Sequence, residues 1–147
     1  MLKNKSILWI LGLLLVVGGL LAWPMFSNTS EDNDNVTGVR CLVNESFHIH
    51  PHLQILVDGI SEVLPGNLGV EPGCIRELHT HATDGDIHIE SATDRGYRLS
   101  DFLLVWKQPL ERSGYTLKMT VDGIETTDTS FVMKDKQQII LNYTKIQ

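Results

Sequence analysis

Cysteine is scarce in this chain: two residues in 147, Cys41 and Cys74, and no Cys-x-x-Cys pair. Cofactor sites built on that pair are therefore excluded. His-Glu-x-x-His is absent, as are a nucleotide-binding glycine motif and a Gly-x-Ser-x-Gly elbow, so the zinc-protease, dinucleotide and serine-hydrolase signatures drop out. Methionine is sparse, with four residues and no cluster, which removes the thioether-rich sites that favour Cu(I). A blue-copper arrangement also fails, because no methionine lies within a dozen residues after His79. A cupin pattern resembles the region in having His-x-His before a glutamate, but another histidine intervenes and the spacing to Glu90 is too long. Basic residues number only twelve, two of them Lys3 and Lys5. Residues 27–147 thus carry ten basic and eighteen acidic side chains, a formal charge of −8 with neutral histidine. Nucleic acid is excluded as a partner, since phosphate binding needs a basic face.

Charge is missing altogether from residues 7–26, which are mostly Leu, Val, Ile, Trp and Gly. Such a run of 20 residues matches a hydrocarbon core of ~30 Å at ~1.5 Å per residue. Lys3 and Lys5 precede it and Glu31, Asp32 and Asp34 follow it, so the positive-inside rule puts the N-terminus in the cytoplasm and the rest outside. Trp9 and Trp23 mark its two interfaces. A cleaved signal peptide is the rival reading, but the run is long and Ala22-Trp23-Pro24 is a poor cleavage site. The expected organisation is a cytoplasmic stub and single-pass anchor over 1–26, a polar spacer over 27–38, and an extracytoplasmic domain over 39–147. Outside the cytoplasm Cys41 and Cys74 are expected to form a disulfide. It closes a loop of about 30 residues and contributes about 3 kcal/mol. The alternative makes one of them a metal ligand. Asn28, Asn35, Asn44 and Asn142 begin N-x-S/T triplets, which matter only in a glycosylating host.

Most of the domain reads as short strands between tight turns. Asp58-Gly59, Asp84-Gly85 and Asp122-Gly123 are each flanked by β-type residues and each signals a two-residue hairpin turn. Strands are expected over 47–57, 60–64, 76–82, 87–91, 115–121 and 137–143, with a weaker one over 124–133, and a loop over 65–74. One helix is expected: Ser100 is placed to cap it, Leu99, Phe102, Leu103 and Trp106 form an apolar stripe, and Pro109 ends it near Gln108. Strands, a helix and more strands define an α+β domain, mostly antiparallel β with one amphipathic helix. Its helix-strand-hairpin ending resembles half of a β-grasp fold. A β-sandwich, cupredoxin-like, is the alternative.

Histidine is where the sequence is specific. All six fall within residues 48–88: His48, His50 and His52 in FHIHPH, His79 and His81 in LHTH, and His88 in IHIE with Glu90 two residues on. Alternate residues of a strand share a face. With Asp84-Gly85 as a two-residue turn, His81 lies opposite His88 and His79 opposite Glu90, with Cβ atoms ~5 Å apart. Leu78, Thr80, Ala82, Ile87 and Ile89 then fall on the other face as a core face. His48 to His52 spans ~13 Å of extended strand, too far for one ion to take all three. Pro51 marks an edge or a bend. One or two of His48, His50 and His52 are therefore expected to join His79, His81, His88 and Glu90 around one transition-metal ion, Zn(II) or Cu(II). Glu90 is either a ligand or the acceptor that orients an imidazole.

The motifs HPHLQILVDG, PGNLGVEPGC, LHTHATDGDIHIE and SDFLLVW resemble a family of small uncharacterised microbial proteins over most of residues 47–143. That resemblance implies a shared site and no particular activity. The sequence points to a membrane-tethered metal-binding module for capture, delivery or sensing, in contact with the membrane through residues 7–26 and with a membrane-protein partner. Two alternatives stand: a metal-dependent hydrolase with three histidines and Glu90 as base, and a non-catalytic interaction module whose clustered imidazoles respond to pH. The enzyme reading lacks a second group of residues for holding substrate.

Overall fold

The computed structural model describes residues 38–147. The expected anchor over 7–26 and nearly all of the spacer lie outside them. Among the described residues no helix is long and apolar enough to cross a membrane.

Among the described residues there are ten strands, laid out in three sheets, and one helix. The largest contains β2 (His52–Val57), β3 (Ile60–Glu62), β8 (Tyr115–Val121), β9 (Ile124–Thr126) and β10 (Gln138–Lys145) in the order β3-β2-β10-β8-β9. Its central pair, β2 and β10, is parallel, and the other pairs are antiparallel. The smaller sheet has the order β1-β7-β6, from β1 (Phe47–Ile49), β7 (His88–Ser91) and β6 (Leu78–His79). A third, two-stranded piece pairs β4 (Val70–Glu71) with β5 (Cys74–Ile75).

Period-2 patterning explains the large sheet. Leu53 and Ile55 of β2 lie level with Ile139 and Leu141 of β10, and Leu141 lies level with Met119 of β8. All five are buried on one face. Helix α1 (Leu99–Trp106) adds Leu99, Phe102, Leu103 and Val105 to the same core, the small sheet adds Leu78 and Ile89, and Ile87 joins them just before β7. A helix and two sheets sharing one core make the domain α+β. Asp58-Gly59 and Asp122-Gly123 take positive φ at both residues, 51° and 81° in the first and 51° and 82° in the second. That is the twist a two-residue hairpin requires.

Several expectations are corrected. The strand expected over 47–57 is broken at His50 and Pro51, so β1 joins the small sheet and β2 the large one. Ser100 is not the helix cap: Arg98 occupies that position, and its N–H donates to the Asp101 carboxylate at 2.9 Å. The helix ends at Trp106, with Lys107 in the left-handed region at φ 59°. The loop expected over 65–74 contains the β4–β5 hairpin, turned at Pro72-Gly73 with Gly73 at φ 80°. Proline followed by glycine at positive φ is the type II turn signal. Within 124–133 only Ile124–Thr126 is strand.

Candidate metal centre

The expected disulfide is formed, Cys41 to Cys74, with Cα atoms 5.2 Å apart. It fastens the chain around Cys41 to β5. Leu42 N–H donates to Ile75 C=O at 2.6 Å, and Glu77 N–H to Arg40 C=O at 2.9 Å. Neither cysteine is a metal ligand, because both sulfurs are committed to each other.

The small sheet then sorts its side chains by parity. His48 pairs with Glu90, and His79 with His88, on one face. Ile49 and Leu78 both pair with Ile89 on the other. The separation into a ligand face and a core face is as the alternation requires, but the register is not the expected one. Leu78↔Ile89 and His79↔His88 are each two residues away from the two-residue-turn alignment, which would set His79 opposite Glu90. Asp84-Gly85 does not form that turn, and only Gly85 has a positive φ, 96°. Other partners take its neighbourhood. Leu53 N–H donates to Gly85 C=O, Ile87 N–H donates to Pro51 C=O, and Thr80 is held by Leu68 and Pro65. The ladder therefore stops at His79 and His88, leaving residues 80–87 as a longer connection. A slip of two residues keeps every side chain on its own face, which is why the ligand set survives it. Ala82, expected in the core, is exposed instead.

Four of the expected ligands converge: His79, His81, His88 and Glu90 each offer a donor atom, all within 4.8 Å of one another. His79 Nε2 lies 3.1 Å from His81 Nε2 and 3.8 Å from Glu90 Oε1, and His88 Nδ1 lies 3.3 Å from the same oxygen. Metal–nitrogen bonds of ~2.0–2.1 Å place tetrahedral donors ~3.3 Å apart, so these separations match the span of one coordination shell. His48 and His50 also arrive, forming a second group with His88 and, through His48, a third with Glu45 and Glu90. His52 does not. The bend at Pro51 turns it away, and its Nδ1–H donates to Asp86 Oδ1 at 2.8 Å.

Protonation states follow from the partners. His79 is fully buried, and its Nδ1 lies 2.8 Å from the carbonyl oxygen of Arg76. A carbonyl only accepts, so Nδ1 holds the proton and Nε2 turns a lone pair toward the other donors. This is how metal-ligating imidazoles are oriented. Burial lowers the His79 pKa below the ordinary imidazole value, opposed by the Arg76 carbonyl and Glu90. His88 is lowered too, by burial first and then by His50 and His81. Both shifts favour the neutral form that ligates. Glu90 is 8% exposed, and the charged or polar groups placed at its Oε1 are imidazoles, His48 at 3.1 Å among them.

Beside the cluster an open cleft of about 590 Å³ is lined by His50, His52, Asp86, His88, Lys136 and Gln138. Sequence reasoning missed this cleft, because Lys136 and Gln138 come from a distant turn and from β10. The fold and the donor set define an α+β domain carrying a histidine–carboxylate cluster able to hold a metal ion. No family model, curated protein or solved structure matches the chain.

Proposed function

We propose that the chain is a membrane-tethered, extracytoplasmic transition-metal-binding module that captures, delivers or senses Zn(II) or Cu(II) beside the membrane, working with a membrane-protein partner. The observation that carries the metal reading is His79. A buried imidazole has its Nδ1–H fixed by a backbone carbonyl and its Nε2 aimed at His81 and Glu90. Neutral imidazoles with one carboxylate suit Zn(II) and Cu(II) better than hard cations or Cu(I). The uncharged run 7–26, flanked by Lys3 and Lys5 on one side and acidic residues on the other, supports the tether and its orientation. The sheet order β3-β2-β10-β8-β9 with a parallel pair at β2 and β10, and one helix sharing the core, supports a β-grasp-like scaffold.

The full chain, purified in detergent without a histidine tag, is assayed for bound metal by mass spectrometry beside His81→Ala/His88→Ala. Near-stoichiometric metal that disappears in the double variant is the expected result. A folded wild-type sample that takes up nothing on titration with Zn(II), Cu(II) or Cu(I) overturns the reading. One observation favours a second reading, metal-dependent hydrolysis: the cleft opens directly onto His50 and His88 and holds Lys136. Turnover of activated esters that tracks metal loading and vanishes in Glu90→Gln is its test.

A further inference from the structure

His48 lies between two carboxylates. Its Nδ1 is 2.5 Å from Glu45 Oε1, and its Nε2 is 3.1 Å from Glu90 Oε1. A neutral imidazole has one N–H to give. With that proton on Nδ1 and donated to the half-exposed Glu45, the Nε2 lone pair faces a nearly buried carboxylate oxygen across hydrogen-bond distance with no hydrogen between them. Two electron-rich atoms keep that separation when a cation joins them. The arrangement repeats, with a carboxylate in place of the Arg76 carbonyl, the orientation found at His79.

The donors fall into overlapping groups joined through His88, His48 and Glu90. His79, His81 and His88 gather with Glu90. His48 and His50 gather with His88, their ring centroids 4.4 Å apart, and His48 also reaches Glu90 at 3.1 Å. One ion with four to six positions cannot use both groups together with Glu90, since His48 to His81 and His50 to His79 are not among the mutually close donors. We propose that the cluster is a two-ion site. The second divalent transition-metal ion is held by His48 and His50, and the Glu90 carboxylate bridges it to the ion at His79, His81 and His88. Glu45 is a positioning residue that fixes the His48 tautomer. Carboxylate-bridged pairs of this kind lie ~3.5–4 Å apart. The inference rests on the metal reading above and extends it.

Cu(II) titration of the full chain, followed by electron paramagnetic resonance, separates the outcomes. Two equivalents are expected to bind, the first giving a full single-ion signal and the second diminishing it through magnetic coupling. His48→Ala/His50→Ala is expected to retain one equivalent with an undiminished signal. Glu45→Ala is expected to weaken the second equivalent about tenfold, the usual effect of removing an orienting acceptor. Saturation of the wild type at one equivalent overturns the two-ion site and leaves the single site standing, with His48 an imidazolium between its carboxylates. Two equivalents with additive signals overturn it as well, because the second ion is then remote. No binding at all overturns both readings. The wild-type titration decides these cases even where a variant fails to fold.

Discussion

At His79 one side chain joins the backbone to the candidate metal centre. Its Nδ1–H is spent on Arg76 C=O, and the ring is wholly enclosed. His79→Ala removes a ligand with no rotamer freedom to replace it. We expect at least a hundredfold loss of Zn(II) affinity by competition with a chromophoric chelator, against a smaller loss for exposed His81→Ala. The pH behaviour of the metal-free protein follows from His79 and His88, both shifted down by burial. The unfolded chain takes up protons at about pH 6.5, while the folded chain resists until lower pH. Stability conferred by the neutral imidazoles is thus fully present above that value and is lost as pH falls from it through the lowered folded pKa values. Chemical denaturation from pH 8 to 5 checks this: the midpoint of the metal-free protein should fall through the acidic half, and His79→Phe should flatten that slope.

At the scale of elements, the connection over 80–87 decides where the ligands stand. Gly85 is its fixed point. Its φ is 96°, and a Cβ there would lie 2.7 Å from Leu53 C=O and 2.9 Å from His52 Cε1. Gly85→Ala should cost about 2–4 kcal/mol, from backbone strain together with displacement of β2. Gly59→Ala, at φ 81° with nothing within 4 Å, should cost only about 1 kcal/mol. Thermal melts of the two variants test that difference. The same connection shows what was readable in the sequence. Face membership was, because it depends only on alternation within a strand. Register was not: Asp-Gly looks the same at 58–59, 84–85 and 122–123, but at 84–85 the Gly85 carbonyl and the nearby Ile87 N–H pair with Leu53 and Pro51 instead of closing a two-residue turn. The break of 47–57 into β1 and β2 is the other such case. Pro51 announced a bend, but not that each half would join a different sheet.

At the scale of the whole molecule, the disulfide and the histidine–carboxylate cluster are joined through Arg76. Cys74 starts the short run through Arg76, whose carbonyl orients His79, and Cys41 pairs with Arg76 as an isolated bridge. Reducing the bond frees a chain segment of 33 residues, for which loop entropy gives about 3–4 kcal/mol. We expect reduced protein to melt at lower temperature and to bind metal several-fold more weakly. Calorimetry and metal titration of the Cys41→Ser/Cys74→Ser variant provide the check, and unchanged metal affinity would show that Arg76 holds its place without the bond.

The sequence alone determined the α+β composition, the hairpins at Asp58-Gly59 and Asp122-Gly123, the separation of histidines from core residues by strand parity, and the convergence of His79, His81, His88 and Glu90. These follow from local rules, the period of a strand and the backbone a turn demands, which operate over a few neighbouring residues. Tertiary structure alone decided that His52 leaves the cluster while His48 and His50 stay, that Glu90 faces His48, and that Arg76 orients His79. Each of these depends on which strand or carbonyl satisfies a particular backbone or side-chain group, and that competition is settled only when the two sheets and the helix close on one core.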